Sequence, residues 1–316
     1  MKHKKQHYIP QSYLESWCDP DTPDRQTPYV WQFTKDGANV RKKAPSNIFY
    51  EKDMYTIKLT DGSRSLILEQ GLSELESKFC NIRRTKLENE SELSIFDRII
   101  ICGFIAAMHA RTKAQSNHLS QQWGEALKKM EMMMKWAEQA SPQEKFAMAD
   151  TSINHGREGG GLSYEEVKKL ASEPIKHMLL PMITVETPEL CKLDFAVIQT
   201  TSTPGFITSD APCVWFDPEA CKRPPFDQTP GLIYPTIEIT LPISPNQMIL
   251  LNRSAINGYL PLTVDERLVD ELNRRTRFHA HEHFIVNKSV KKEIWFDPCI
   301  ETMDSWRKTH KNAEDD

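Results

Sequence analysis

The 316-residue sequence has no Cys-x-x-Cys pair, no apolar run long enough to cross a bilayer, and a net charge of only −4. Each absence excludes something. The seven cysteines (18, 80, 102, 191, 213, 221 and 299) are odd in number and widely scattered. That argues against a disulfide framework, and against structural zinc, whose ligands usually come closely paired. Reduced, mostly packed thiols are expected. The most apolar stretch, Ile99 to Met108, falls well short of the roughly 20 residues a membrane helix needs. The basic start, Met-Lys-His-Lys-Lys-Gln-His-Tyr, leads into no apolar segment of signal-peptide quality. A cytoplasmic protein without membrane contact is therefore expected. The near-neutral total gives no global case for nucleic-acid binding, although it can hide segregated charge.

What is present is a globular balance, 39% hydrophobic and 27% charged. The reading is one α+β domain over 1–316, with β-rich terminal segments combined around a central, mainly helical region. It divides into a β-rich 1–62, a helical 66–180, a mixed 190–300 and a charged, frayed tail from Arg307. Pro10 suits the first turn of a short helix that turns Tyr13, Leu14 and Trp17 inward. Lys35-Asp36-Gly37 signals a hairpin, and Tyr50 to Leu59 continues as strand. Leu68, Leu72, Leu75 and Phe79 recur at helical spacing. Ser94 caps an apolar helix expected to reach Ala114, and a Met-rich helix follows over 120–138. The methionines at 130 and 132–134 read as packing. The glycine-rich break at 156–161 has neither the preceding strand nor the Gly-Lys-Ser/Thr of a phosphate cradle. Ser163-x-x-Glu166 is a capping box opening a helix to about Leu180. Short β-type runs follow from Asp194, then a helix over 264–277 and a strand over 283–286.

Three motifs stand out: His7-x-x-Pro10-x-x-Tyr13-Leu14, the helix end His109-Ala110-Arg111-Thr112, and Phe206-Ile207-Thr208-Ser209-Asp210-Ala211-Pro212, followed by Leu241-Pro242-Ile243-Ser244-Pro245. In order and spacing they resemble the domain-of-unknown-function family 4238, over nearly the whole chain. Glu69 and Glu76 also resemble its pattern. The resemblance implies a bacterial-type protein with a shared site and no established activity; members are sometimes found near genome-defence genes.

Glu69 and Glu76 lie two helical turns apart, on one face. With His7 and Asp210 brought in by folding, that face can do acid–base work or hold a divalent metal such as Mg²⁺ or Mn²⁺, with Glu69, Glu76 and Asp210 as ligands. The bland reading is a pair of solvated helix charges. Arg111 suits either an anion clamp or an internal ion pair. Asp210 follows a strand, where polar residues often enter clefts, but it also suits an Asx-type turn. Gln11, Tyr13 and Ser209 are candidate substrate contacts beside the catalytic candidates His7, Glu76, Arg111 and Asp210.

Weaker signals are set lower. Arg111 to His118 has a spacing that resembles the ribonuclease motif of the HEPN family, but such pairs are common by chance. His279, His281 and His283 alternate as metal ligands on a strand would, yet the segment also suits a helix end or turn. Basic clusters at Lys2–Lys5, Arg41–Lys43 and Arg274-Arg275-Arg277 read first as solvated faces and second as a nucleic-acid footprint. The leading expectation is a phosphodiester-cleaving, nuclease-like enzyme of a bacterial defence or toxin type. The alternative is a non-catalytic binding or regulatory module for an anionic ligand or a partner protein.

Overall fold

The computed structural model describes residues 5–145, 161–261 and 266–297. Lys2 to Lys4, most of the glycine-rich break and the tail from Arg307 lie outside them.

Strand β1 (Lys5–His7) leads through Pro10 into one helical turn, α1 (Gln11–Leu14), which a 3-10 turn at Glu15–Trp17 extends. Tyr13, Leu14 and Trp17 are fully buried, as their spacing predicts. The expected hairpin joins β2 (Val30–Thr34) to β3 (Val40–Lys43). Gly37 takes φ +71°, and the Asp36 carboxylate accepts the Ala38 N–H at 2.9 Å. The strand expected over 50–59 is split, because Asp53 turns the chain at φ 55°. Its first part, β4 (Tyr50–Lys52), pairs with β1; its second, β5 (Ile57–Lys58), pairs with β6 (Arg64–Ser65).

Helix α2 (Ile67–Ile82) carries the predicted apolar stripe, and Phe79 stacks on Phe104 at 3.8 Å between centroids. Helix α3 (Ile95–Ala110) begins with the Ser94–Asp97 capping box but stops short of Ala114. The Thr112 hydroxyl accepts the Gln115 N–H at 3.1 Å and starts a new helix, α4 (Lys113–Gln139). A second expected helix is also two. The Ser163–Glu166 box opens α5 (Tyr164–Ser172), and Pro174, which has no N–H to continue it, opens α6 (Pro174–Cys191). Met132, Met133 and Met134 are exposed rather than packed, because α4 runs on beyond the core.

Six strands follow: β7 (Asp194–Gln199), β8 (Thr208–Ser209), β9 (Val214–Phe216), β10 (Glu238–Ser244), β11 (Gln247–Asn252) and β12 (Gly258–Pro261). Five of them form a sheet in the order β12-β7-β11-β10-β9, antiparallel except for β12 on β7. Helix α7 (Glu266–His279) and β13 (His283–Val286) complete the described chain. A second sheet, β3-β2-β13-β8, pairs the N-terminal hairpin with β13, so segments from both ends of the chain share one sheet in an α+β fold. The largest core cluster joins α1, α3 and the five-stranded sheet through residues such as Trp17, Phe104 and Ile249. No helix of the described residues is long and apolar enough to cross a membrane.

The turn before β8 is sterically tight. Gly205 holds φ +78°, and a Cβ there would lie 2.1 Å from the Pro245 carbonyl oxygen. That same oxygen accepts the Phe206 N–H at 2.7 Å. Gly205→Ala is expected to destabilise the protein by about 3 kcal/mol, seen as a lower denaturant midpoint with unchanged slope.

Candidate functional site

His7 ends β1 on the rim of a cleft of ≈ 390 Å³, together with Lys5, Gln11, Glu15, Glu69 and Glu76. Burial lowers the His7 pKa below the ordinary histidine value, against the raising effects of the Ser46 backbone and the Glu76 charge. The Gln11 side-chain amide lies 3.2 Å from His7 Nδ1. Glu69 accepts from Gln6 Nε2 at 2.8 Å, and Gln6 in turn accepts the Tyr55 N–H at 2.7 Å. The structure thus brings His7, Gln11, Glu69 and Glu76 together. Its lining carries three carboxylates, of which Glu76 is ion-paired with Arg111, beside Lys5 and His7.

Arg111 and Asp210 do not line this cleft. Arg111 is fully buried behind it, with Nη1 2.5 Å from Glu76 Oε1 and Nη2 3.1 Å from the Met108 sulfur. Its Nε has no partner. The guanidinium is therefore an internal ion-pair partner that holds Glu76 and pins the corner between α3 and α4, and it is not placed to clamp a substrate. Asp210 is also buried. Its carboxylate accepts three backbone N–H groups, from His281 (2.7 Å), Glu282 (2.7 Å) and His283 (2.9 Å). Burial raises its pKa, and the three amides oppose that rise. Glu69, Glu76 and Asp210 each answer to a different partner. Among the described residues no group of three or more His, Cys, Asp or Glu side chains is arranged to hold a metal ion. A Mg²⁺ or Mn²⁺ site made from the three does not fit.

Tyr13 and Ser209 are buried too. The Tyr13 hydroxyl donates to the Pro242 carbonyl at 2.6 Å and sits 2.7 Å from Thr208 Oγ1; Ser209 Oγ accepts the Ala211 N–H at 3.1 Å. Tyr13 ties the first motif to the third, whereas the Ser209 bond stays within the third. The alternating histidines do not share a strand: His279 ends α7, and of the three only His283 lies in β13. The basic run of α7 is engaged internally, with Arg275 2.6 Å from Glu238 and Arg277 donating to the Trp295 carbonyl at 2.8 Å. Lys42 of the other described basic cluster lies over the Tyr29 and Trp31 rings.

A second cleft, of ≈ 600 Å³, lies where the other two motifs meet. His109 comes from the last turn of α3, Thr112 and Gln115 from the first turn of α4, and His118 from one turn further along. Ala211, Cys213 and Trp215 come from the segment after Asp210, and His279 from the end of α7. His109 stacks on the Trp215 ring at 4.6 Å. Its Nδ1 sits 3.0 and 3.1 Å from the two Glu186 oxygens on α6. A carboxylate can only accept, so Nδ1 carries the hydrogen of this pair, and Nε2 is the nitrogen left to exchange a proton with the cleft. Cys213, partly buried in the wall, has its pKa raised far above the ordinary thiol value by burial, which disfavours the thiolate.

His109 lies inside a motif but has no sequence signal of its own, and Glu186 lies in none of the motifs. Only His118 carried a local signal, through its spacing from Arg111, and Arg111 turns away from the cleft. A carboxylate 77 positions away in sequence gives no periodic clue. Removing Glu76 strands a buried guanidinium. Glu76→Ala is expected to cost about 3 kcal/mol, whereas replacing Glu76 and Arg111 together with leucine restores most of that stability in urea unfolding.

No curated protein and no solved structure matches the chain. The family model described as "Protein of unknown function (DUF4238)" matches residues 5–291, a span that holds all three motifs and both clefts. The chain belongs to that family.

Proposed function

We propose that the protein is a phosphodiester-cleaving, nuclease-like enzyme whose chemistry resides in the histidine cleft and not beside His7. The observation that carries this reading is the Glu186–His109 pair, opening onto a cleft that His118 and His279 also line. A carboxylate on Nδ1 orients the ring and stabilises the imidazolium that forms when Nε2 takes a proton. A second histidine within the same cleft supplies the complementary proton donor. The described lining residues include no Asp, Glu, Lys or Arg; the Glu186 carboxylate sits behind the His109 ring, against Nδ1. The positive end of α4, at Thr112–Gln115, and any protonated histidine favour an anion.

The binding-module reading draws on a different observation. Arg111, Asp210 and Tyr13, three prominent motif residues, are buried and bonded to protein groups. They serve the architecture whichever reading holds.

The two clefts are separated by assaying labelled RNA and DNA in EDTA with the wild type, His109→Ala and His7→Ala. Cleavage in the wild type, reduced about 100-fold or more in His109→Ala, supports the histidine cleft. Loss in His7→Ala with none in His109→Ala would move the chemistry to the N-terminal cleft. No cleavage by folded wild type would leave the binding module as the better reading.

A further inference from the structure

Resting on that reading of the histidine cleft, we infer that its substrate is RNA and that the attacking nucleophile is the substrate's own 2′-hydroxyl. The lining offers a proton acceptor, proton donors and an anion-favouring helix end. The described wall residues include no carboxylate, and among the described residues no group of three or more His, Cys, Asp or Glu side chains is arranged to hold a metal ion. Acid–base chemistry of this kind is sufficient when the nucleophile is already held next to phosphorus, as a ribose 2′-oxygen is. Deoxyribose lacks that oxygen.

The step balances with the groups present. His109 Nε2 takes the proton from the 2′-hydroxyl as the 2′-oxygen bonds to phosphorus. The bond from phosphorus to the 5′-oxygen of the next nucleotide breaks, and that oxygen takes a proton from the His118 imidazolium. The products are a 2′,3′-cyclic phosphate and a 5′-hydroxyl. Solvent then returns a proton to His118 and removes one from His109. Glu186 is a positioning residue: through Nδ1 it fixes which nitrogen is the base. His279 and the first turn of α4 line the same cleft and are the groups available to the phosphate oxygens.

Two labelled oligonucleotides test this in EDTA, one all-DNA and one DNA with a single embedded ribonucleotide. The wild type should cut only the second, on the 3′ side of the ribose, leaving a cyclic phosphate. His109→Gln and His118→Ala, confirmed folded by circular dichroism, should each lose about 100-fold or more in rate. Glu186→Gln still accepts from Nδ1 but carries no charge, so it should lower kcat with KM unchanged; a role confined to folding would instead lower the active fraction and the unfolding midpoint together. Cutting of the all-DNA strand, or a linear phosphate formed without a cyclic precursor, overturns the RNA inference and leaves the nuclease reading standing. No cutting of either strand, nor of a mixed-sequence RNA, overturns both.

Discussion

The arrangement of the second half of the molecule depends on one buried carboxylate. Asp210 has been taken out of water, and three consecutive backbone amides of 281–283 turn inward to meet it. An ionised side chain with so little exposure is tolerable only when its acceptor sites are filled. Filling them fixes the turn between α7 and β13, and with it the position of His279. The same residue begins the segment that carries Ala211, Cys213 and Trp215 into the wall of the histidine cleft. The pairing of β13 with β2 then extends this anchoring to the N-terminal hairpin.

A second buried charge organises the other half. Arg111 stands at the corner where α3 ends and α4 begins, and its ion pair with Glu76 ties that corner to α2. The extended backbone at Thr112 separates the two helices, with His109 in the last turn of one and His118 near the start of the next. A buried ion pair adds little net stability over a well-packed apolar pair, but breaking it is costly. Its value here is therefore geometric. The first motif and the turn after it do similar work by other means: Tyr13 bonds to Thr208 and Pro242, and Trp17 of the turn donates to the Phe206 carbonyl at 2.9 Å. His7 is left half-buried on the rim of its cleft, among carboxylates.

The family motifs can accordingly be sorted by what they touch. His109, Thr112 and Ala211 line the histidine cleft directly. Arg111, Ser209 and Asp210 stand behind it and hold its parts. The chemical group that completes the arrangement, Glu186, belongs to none of the motifs. It reaches His109 from α6, the helix that packs along α3.

Much of the secondary structure was legible because it rests on local physics. Capping boxes at Ser94 and Ser163, the Asp36-Gly37 turn and the inward stripe of α2 are short-range effects, and the chain obeys them. Helix ends were misjudged where a single side chain decided the outcome, as with Thr112 capping α4 and Pro174 opening α6. The candidate site was only partly legible. Residue type and spacing pointed to His7, Glu69 and Glu76, which do share a cleft, and to Arg111, buried behind it on Glu76, and Asp210, buried away from it. A charged side chain reads the same in sequence whether it faces solvent or a buried partner, since burial depends on elements folded from distant positions. The α+β class and the family motifs were set by sequence order and local preference. Which carboxylate meets which histidine, and which charges are withdrawn from water, was decided only by tertiary structure, because those contacts join residues between 35 and 77 positions apart.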